Sequence, residues 1–124
     1  MSPKEIVEFD AKNNGYGATA KELTQNIATA IKMGWGSVRS GNLLFVFKAI
    51  DKAGTIEFNM MAGSLEGASK DCVKFLTMLK KAGGKVAYVE YKAEPFTEIF
   101  KSLEPQFKPV FGKKDNELTM KVRL

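Results

Sequence analysis

The chain has 124 residues, 44% of them hydrophobic, which suffices for one compact domain with a hydrophobic core over residues 1–124. Its longest uncharged apolar run, Leu43 to Phe47, is far too short to cross a membrane, and the N-terminus lacks the pattern of a signal peptide. We therefore expect a cytoplasmic location without a membrane partner. The net charge of +5 favours an anionic partner, which leaves nucleic acid, a nucleotide-like cofactor and an acidic protein surface open.

The sequence contains no histidine and one cysteine, Cys72. The lack of histidine removes the commonest metal ligand and the usual partner of a catalytic nucleophile, so we expect no metal site. One cysteine allows neither an internal disulfide nor a cysteine cluster. Because Cys72 falls on the apolar stripe of a predicted helix, we expect a buried thiol.

The N-terminal third is predicted to contain a short strand and an amphipathic helix. Glu5 to Phe9 has strand character, and Asn13-Asn14-Gly15 favours a turn after it. Thr19 and Glu22 have the spacing of a capping box, which predicts the start of the helix. Its apolar residues recur at intervals of four: Leu23, Ile27 and Ile31. Residues Gly34 to Gly41 contain the helix stop and are predicted to form a flexible connection.

A hairpin and a crossover follow. Leu43 to Ile50 and Thr55 to Met61 are predicted to pair as antiparallel strands around a turn at residues 51–54. In the second strand, Ile56 and Phe58 alternate with Glu57 and Asn59, so the two pairs belong to opposite faces.

The next helix has an apolar stripe that predicts contact with a core: Cys72, Phe75, Leu76 and Leu79. The helix ends at Gly83-Gly84, and a strand from Lys85 to Tyr91 follows. Strand, helix and strand in this order predict a βαβ unit, whose helix N-terminus offers backbone N–H groups to an anion. The opposite helix face carries Lys70, Lys74 and Lys81, which is typical of a solvated face and also suits contact with phosphates or an acidic partner.

The last third is predicted to contain one helix and two strands. Pro95 favours a helix start, and the helix would bury Phe96, Ile99, Phe100 and Leu103. Gln106 to Phe111 and Glu117 to Leu124 follow as strands around a turn at residues 112–116. The predicted order is β-α-β-β-α-β-α-β-β, an α/β fold with a mixed sheet flanked by helices.

The C-terminal part of the chain resembles the GNAT superfamily of N-acyltransferases. The residues that carry the resemblance belong to a helix-to-strand segment of that family: Ala93, Ile99, Phe100, Leu103 and Phe107-Lys108-Pro109-Val110. It extends over roughly Ala18 to Leu124. It implies that Thr55 to Met61 and Lys85 to Tyr91 splay apart around the pantetheine arm of acetyl-CoA. Small divergent members of this kind occur in tailed phages, which implies a phage origin and a location in the host cytoplasm or the virion.

The resemblance also implies site residues. Those that would bind the cofactor follow the first splayed strand and begin the central helix: Met61, Ala62, Gly63, Ser64, Gly67, Ala68, Ser69 and Lys70. Glu57 lies on the strand where some members carry the general base, although a solvated strand residue is the simpler interpretation. Tyr88 and Tyr91 are interpreted as packing residues.

Four features of the sequence weaken the prediction of catalysis. Ser64 replaces a glutamine or arginine, and Ser69 replaces a glycine or alanine. Phe100 stands where the family has the tyrosine that protonates the leaving thiolate, and phenylalanine has no proton to donate. Glu66 would also place a carboxylate near bound phosphates, which costs about 1 kcal/mol at roughly 4 Å in water.

The departures favour a GNAT-like domain without catalysis and without a cofactor. It would act as a protein-interaction or structural protein, with another protein, either a phage or a host component, as its partner. The first alternative is an active N-acetyltransferase that uses acetyl-CoA, with Glu57 as general base. The second is a nucleic-acid-binding module that uses the lysine face of the central helix.

Overall fold

The computed structural model describes residues 4–8, 20–63, 67–92, 95–103 and 106–124. The helices are α1 (4–8), α2 (Ala20–Lys32), α3 (Ala68–Lys81) and α4 (Pro95–Lys101). The strands are β1 (Gly36–Ser40), β2 (Leu43–Ala49), β3 (Thr55–Gly63), β4 (Val86–Tyr91), β5 (Val110–Lys114) and β6 (Glu117–Arg123).

The described strands form a six-stranded sheet in the order β1-β2-β3-β4-β6-β5. β3 and β4 pair in parallel, and the other neighbouring strands pair antiparallel. The parallel pair requires a crossover connection, which α3 provides. The predicted α/β fold, with a mixed sheet and flanking helices, is confirmed, and so are the hairpin of β2 with β3 and the βαβ unit.

One face of the sheet, here called the closed face, is covered by α3 and α4. Four phenylalanines at its centre are completely buried: Phe45, Phe58, Phe75 and Phe100. The rings of Phe45 and Phe75 are nearly parallel, with centroids 4.0 Å apart. The ring of Phe58, which belongs to β3, has its centroid 5.4 Å from that of Phe75 and 6.3 Å from that of Phe100. Aromatic burial of this size dominates the energy of a small core.

The apolar stripe predicted for α3 faces this core. Cys72, Phe75, Leu76 and Leu79 are all buried, whereas Lys70, Lys74 and Lys81 are exposed. Burial, with a smaller effect of the neighbouring Asp71 carboxylate, raises the pKa of the Cys72 thiol to about 12. The predicted buried thiol is therefore confirmed, and it is unreactive because the thiolate is the reactive form.

The other face of the sheet is divided. Over β2 it is covered by α1 and α2, where Ile6, Val7, Leu23 and Leu44 form a second buried cluster. Over β4, β6 and β5 it carries polar side chains and is here called the open face. No described helix is both long and apolar enough to span a membrane.

The predicted strand from Glu5 to Phe9 is wrong, because residues 4–8 are helical. The neighbours Ile6 and Val7 suit a strand by their branching, but here both are buried against Leu23 of α2 and Leu44 of β2. Tertiary packing thus determines the secondary structure of this segment, which is too short for its periodicity to be informative. Phe9, the proposed turn at 13–15 and Thr19 of the capping box lie outside the described residues.

The predicted flexible connection after Gly34 is also wrong, since Gly36–Ser40 forms the edge strand β1. Its glycine and serine residues have little strand propensity, but β1 pairs over its full length with the apolar strand β2. The turn that joins β1 to β2 is fastened to α3. The carboxylate of Asp71 accepts a hydrogen bond from the Asn42 amide (3.1 Å), and the Ser40 hydroxyl donates to the Asp71 carbonyl oxygen (2.8 Å).

The last hairpin is shifted along the chain relative to the prediction. The predicted strand from Gln106 to Phe111 begins only at Val110, and residues 112–114 extend it where a turn was expected. Phe107 is buried, and its amide donates to the Leu103 carbonyl oxygen (3.1 Å), so this stretch closes the end of α4. The turn consists of Asp115 and Asn116, and the positive φ of Asp115 (55°) is typical of a tight hairpin turn.

Candidate functional site

A cleft opens where β3 and β4 separate. The two strands pair at only three positions, the last of which joins Glu57 to Tyr88. Beyond it β3 continues to Gly63 and β4 to Tyr91 without further pairing. The splay predicted from the GNAT resemblance is therefore present, and we call the space between the strands the splay cleft.

A β-bulge lies at the far end of β3. Leu44 of β2 is opposite Ala62, whereas the next residue, Phe45, is opposite Met60, so Met61 is the extra residue on β3. A bulge bends its strand and increases the local twist.

The splay cleft has a volume of about 460 Å³. Its lining combines carboxylates and a lysine with two aromatic residues: Glu57, Asn59, Glu90, Tyr91, Lys92, Phe96 and Glu117. Glu57 comes from β3, Glu90 from β4 and Glu117 from β6, so the strand order brings together residues that are far apart in sequence. The described acidic residues here do not form a group that could hold a metal ion.

Glu90 is the centre of a hydrogen-bond network on the open face. The Tyr88 hydroxyl donates to its Oε1 (2.9 Å), and Nζ of Lys114 on β5 lies 3.3 Å from the same oxygen. These hydrogen bonds, the one from Tyr88 foremost, lower the pKa of the Glu90 carboxyl. Desolvation, together with the Glu90 hydrogen bond and charge, raises the pKa of Tyr88 to about 12. Glu90 is therefore an anion and Tyr88 a neutral donor at neutral pH.

The pKa of the Glu57 carboxyl is shifted in the opposite direction to that of Glu90. Burial, and next the negative charge of Glu90, raise the pKa of the Glu57 carboxyl, while Lys114 and Lys48 act against this shift. A carboxyl whose pKa is raised binds its proton more tightly than an ordinary one. The role of Glu57 as a general base stays a prediction.

The predicted cofactor-binding residues lie at the end of β3 and the start of α3. Met61, Ala62 and Gly63 are the last three residues of β3, while Ser64 is outside the described residues. Gly67 adopts a left-handed conformation (φ 71°) and gives no side-chain cap to α3. Of the residues that follow it, Ala68 is buried, Ser69 half-buried and Lys70 exposed. The structure places these residues along one path from β3 into α3, and their binding of a cofactor stays a prediction.

Phe100 lies in the interior of the closed face. Its ring is completely buried, with centroids 5.1 Å from Tyr91 and 6.5 Å from Phe96 in addition to Phe58. The nearby Tyr91 hydroxyl is hydrogen bonded to the Thr97 hydroxyl (3.0 Å). Tyr91 is buried, which agrees with the predicted packing role, whereas Tyr88 belongs to the polar network.

Sequence reasoning did not identify Glu90, Lys114 and Glu117. Alternation along β4 was a usable signal for Glu90, since it shares the outward face with Tyr88. Lys114 and Glu117 had no such signal, because their position depends on β6 lying between β4 and β5. Lys114 was moreover assigned to a turn.

No protein-family model matches the chain, and no curated protein matches it in sequence. Solved structures do resemble it. A domain from Methanocaldococcus jannaschii has a TM-score of 0.61 and 14% identity, covering 100% of this chain and 95% of that chain. The ribosomal-protein-alanine N-acetyltransferase from Brucella melitensis has a TM-score of 0.51 and 14% identity, covering 98% and 89%.

A putative acetyltransferase from Salmonella typhimurium, solved with its cofactor acetyl-CoA, has a TM-score of 0.50 and 12% identity, covering 86% of this chain and 73% of that chain. At these identities the likeness concerns the fold. The chain has a GNAT-like fold.

Proposed function

We propose that this GNAT-like domain has lost acyl transfer and works by binding another protein. The observation that carries the proposal is Phe100. It stands at the position of the family's proton donor, and its ring is completely buried in the aromatic cluster of the closed face. General acid catalysis contributes a factor of roughly a hundred to ten thousand, so its loss removes much of the selective value of an active site.

The loop before α3 supports the same proposal. The sequence places Glu66 directly before Gly67, where the GNAT resemblance puts bound phosphates. A carboxylate there opposes the attraction that the α3 N-terminus has for anions. Lys70, one turn into the helix, offsets part of this repulsion.

The setting of the proposed function rests on the resemblance alone. Small divergent GNAT-like proteins of tailed phages are the basis for proposing a phage or host protein as partner, in the host cytoplasm or in the virion. Detection of the protein in purified virions by mass spectrometry would support the virion, and its absence there combined with presence in infected cells would support the cytoplasm.

A second candidate function is acyl-CoA-dependent N-acetyl transfer, which the splay cleft favours. The separated strands β3 and β4 leave a space of suitable kind for a pantetheine arm, and acetyl-CoA would supply the activated acyl group. Glu57 would accept the proton of the acceptor amine, helped by its raised pKa. Met61 to Gly63 and Gly67 to Lys70 would hold the cofactor.

Calorimetric titration with acetyl-CoA and with free CoA separates the two candidates. We expect no binding up to millimolar concentration, which corresponds to a binding free energy weaker than about −4 kcal/mol. Micromolar binding that is lost in Asn59→Trp would overturn the proposal, because Asn59 lines the splay cleft and a larger side chain would fill it.

Two controls make this titration specific. Lys74→Trp introduces the same side chain on the exposed face of α3, away from the cleft, and should leave any binding unchanged. Gly67→Trp is a less suitable blocking variant, because the positive φ at Gly67 would strain any other residue and a loss of binding could then reflect local unfolding.

A further inference from the structure

β5 is an exposed edge of the sheet. It pairs on one side with β6, and each of its five residues is exposed. Val110 is 68% exposed and Phe111 is 38% exposed, which is unusual for large apolar side chains on a strand. The outer side of an edge strand also presents backbone N–H and C=O groups that can pair with another strand.

The opposite edge, β1, is different. Its exposed side chains are Ser37 and Arg39, while Val38 packs against the core. The Arg39 guanidinium folds back to donate to the Gly41 carbonyl oxygen (2.9 Å). Polar and charged side chains are the usual protection of an edge against pairing, so β1 is protected along its length, whereas the charged residues of β5 are confined to its end, at Lys113 and Lys114.

The lysines of β5 give limited protection. Lys114 reaches across the open face to Glu90, with Nζ 3.3 Å from Oε1, and so lies over the sheet. Its charge is partly balanced there. At the apolar start of β5, Val110 pairs with Lys121 of β6 and Phe111 pairs with Met120.

We propose that β5 pairs antiparallel with β5 of a second copy of this chain, which joins two six-stranded sheets into one around a two-fold axis at Gly112. This inference goes beyond the proposed function, because it adds a contact between two copies of this chain to the binding of another protein. A two-fold pairing is self-complementary, because each contact of one copy is repeated in the other.

The charges on β5 select this register. A two-fold axis must place one residue opposite its own equivalent. With the axis at Gly112, Val110 lies opposite the second copy's Lys114, and Phe111 lies opposite the second copy's Lys113. Each apolar side chain then meets the aliphatic stem of a lysine, and no like charges are directly opposed.

The neighbouring registers are worse. With the axis at Phe111, Lys114 would lie opposite the second copy's Lys108. With the axis at Lys113, the two copies of that lysine would lie opposite each other. Directly opposed like charges destabilise a strand pair. The Gly112 register also brings Lys108 of one copy near Asp115 of the other, an attraction that the two-fold axis repeats.

The interface formed by five residues of each copy is small compared with a standard one of about 800 Å² per partner. We therefore expect a weak dimer with a dissociation constant on the order of 10 to 100 µM. Sedimentation velocity over a concentration range that brackets these values measures it directly.

Two variants at one position test the register. Val110→Lys places a lysine opposite the second copy's Lys114 and should weaken dimerisation at least about tenfold. Val110→Glu removes the same apolar side chain but faces Lys114 with an opposite charge, so its dimer should be at least as strong as that of the wild type. Ile31→Lys, at a half-exposed position on α2, is the matched control and should dimerise like the wild type.

Three results would overturn self-pairing. They are a wild-type protein that stays monomeric throughout, equal weakening by both Val110 variants, and a loss of dimer in Ile31→Lys alone. A monomeric protein that binds an extended glutamate-rich peptide, with loss of binding in Val110→Lys, would assign the edge to another chain and also overturn self-pairing.

The outcome is independent of the proposed loss of catalysis. A dimer that also binds acetyl-CoA would contradict the proposed function and leave self-pairing intact. A monomer that binds no acetyl-CoA would contradict self-pairing and leave the proposed loss of catalysis intact. Circular dichroism of each variant verifies that it is folded.

Discussion

Strand β4 contributes side chains to both the closed and the open face of the sheet. Ala87, Val89 and Tyr91 are buried on the closed face, whereas Tyr88 and Glu90 belong to the polar network of the open face. The likeness to an acetyltransferase structure at 14% identity concerns the fold of the chain as a whole. The open face carries the network of Tyr88, Glu90 and Lys114. Phe100 belongs to the closed face, where its completely buried ring packs in the aromatic cluster.

The largest expected effect concerns the centre of the closed face. Phe75→Ala removes a completely buried ring that stacks on Phe45 and should lower the free energy of unfolding by about 3–5 kcal/mol. Urea denaturation measures this change. Lys74→Ala, one residue earlier on the exposed side of α3, is the control and should change stability by no more than about 0.5 kcal/mol. A Phe75→Ala cost as small as this would contradict the assigned core.

The next prediction sharpens the contrast at Phe100. Phe100→Tyr adds a hydroxyl inside the aromatic cluster and should lower the free energy of unfolding by about 1–3 kcal/mol, because the hydroxyl is buried away from water. Thermal and urea unfolding measure the loss. Phe96→Tyr, nearer the surface and lining the splay cleft, should be tolerated better. Unchanged stability together with acetyl transfer by Phe100→Tyr would show that the hydroxyl reaches the cleft.

A third prediction concerns the hydrogen bond between Tyr88 and Glu90. Desolvation is the main cause of the raised Tyr88 pKa of about 12, and Glu90 is the next. Glu90→Gln should therefore lower the pKa of Tyr88, which ultraviolet absorbance titration of the phenolate detects. Glu117→Gln should have a smaller effect, since Glu117 contributes least among the named causes. Equal shifts in both variants would contradict the direct hydrogen bond.

The smallest expected effect is on the pH dependence of stability. The raised pKa of Glu57, due first to burial, contributes stability at pH below its ordinary pKa, and this is lost as the pH rises through the raised value. The lowered pKa of Glu90, due first to the Tyr88 hydrogen bond, contributes stability above its ordinary pKa, and this is lost as the pH falls. The two carboxyls act in opposite directions.

Urea denaturation at about pH 4 and pH 7 should therefore respond in opposite ways to the two substitutions. Glu57→Gln should make stability at pH 7 more favourable relative to pH 4, and Glu90→Gln should make it less favourable. At these partly exposed sites each change should be about 0.5 kcal/mol. Changes of the same sign in both variants would contradict the assignment.

The sequence was sufficient for elements whose periodicity is long and regular. The stripe on α3, the β2–β3 hairpin and β4 all bury the side chains that their spacing predicted. The sequence was insufficient for segments whose secondary structure is determined by packing or pairing with other elements. Residues 4–8 are short enough to suit either helix or strand, and β1 exists because β2 offers it an apolar edge.

The candidate site was predictable in part for the same reason. Glu57 was identified from the GNAT resemblance, and alternation along its own strand assigned its side chain to the face opposite Phe58. Its proximity to Glu90, Lys114 and Glu117 depends on the order in which strands pair, and that order is not encoded in the spacing of any one strand. The register shift beside Met61 is likewise not marked by any residue pattern.

The link between Asp71 and the turn after β1 has a consequence for the order of folding. Ser40 and Asn42 depend for these hydrogen bonds on a residue about thirty positions away, at the start of α3. Closing so long a loop is slow and entropically unfavourable before other contacts exist. We therefore expect β1 to consolidate only after the crossover helix has docked on the sheet, so that the first strand in the chain is among the last to become structured.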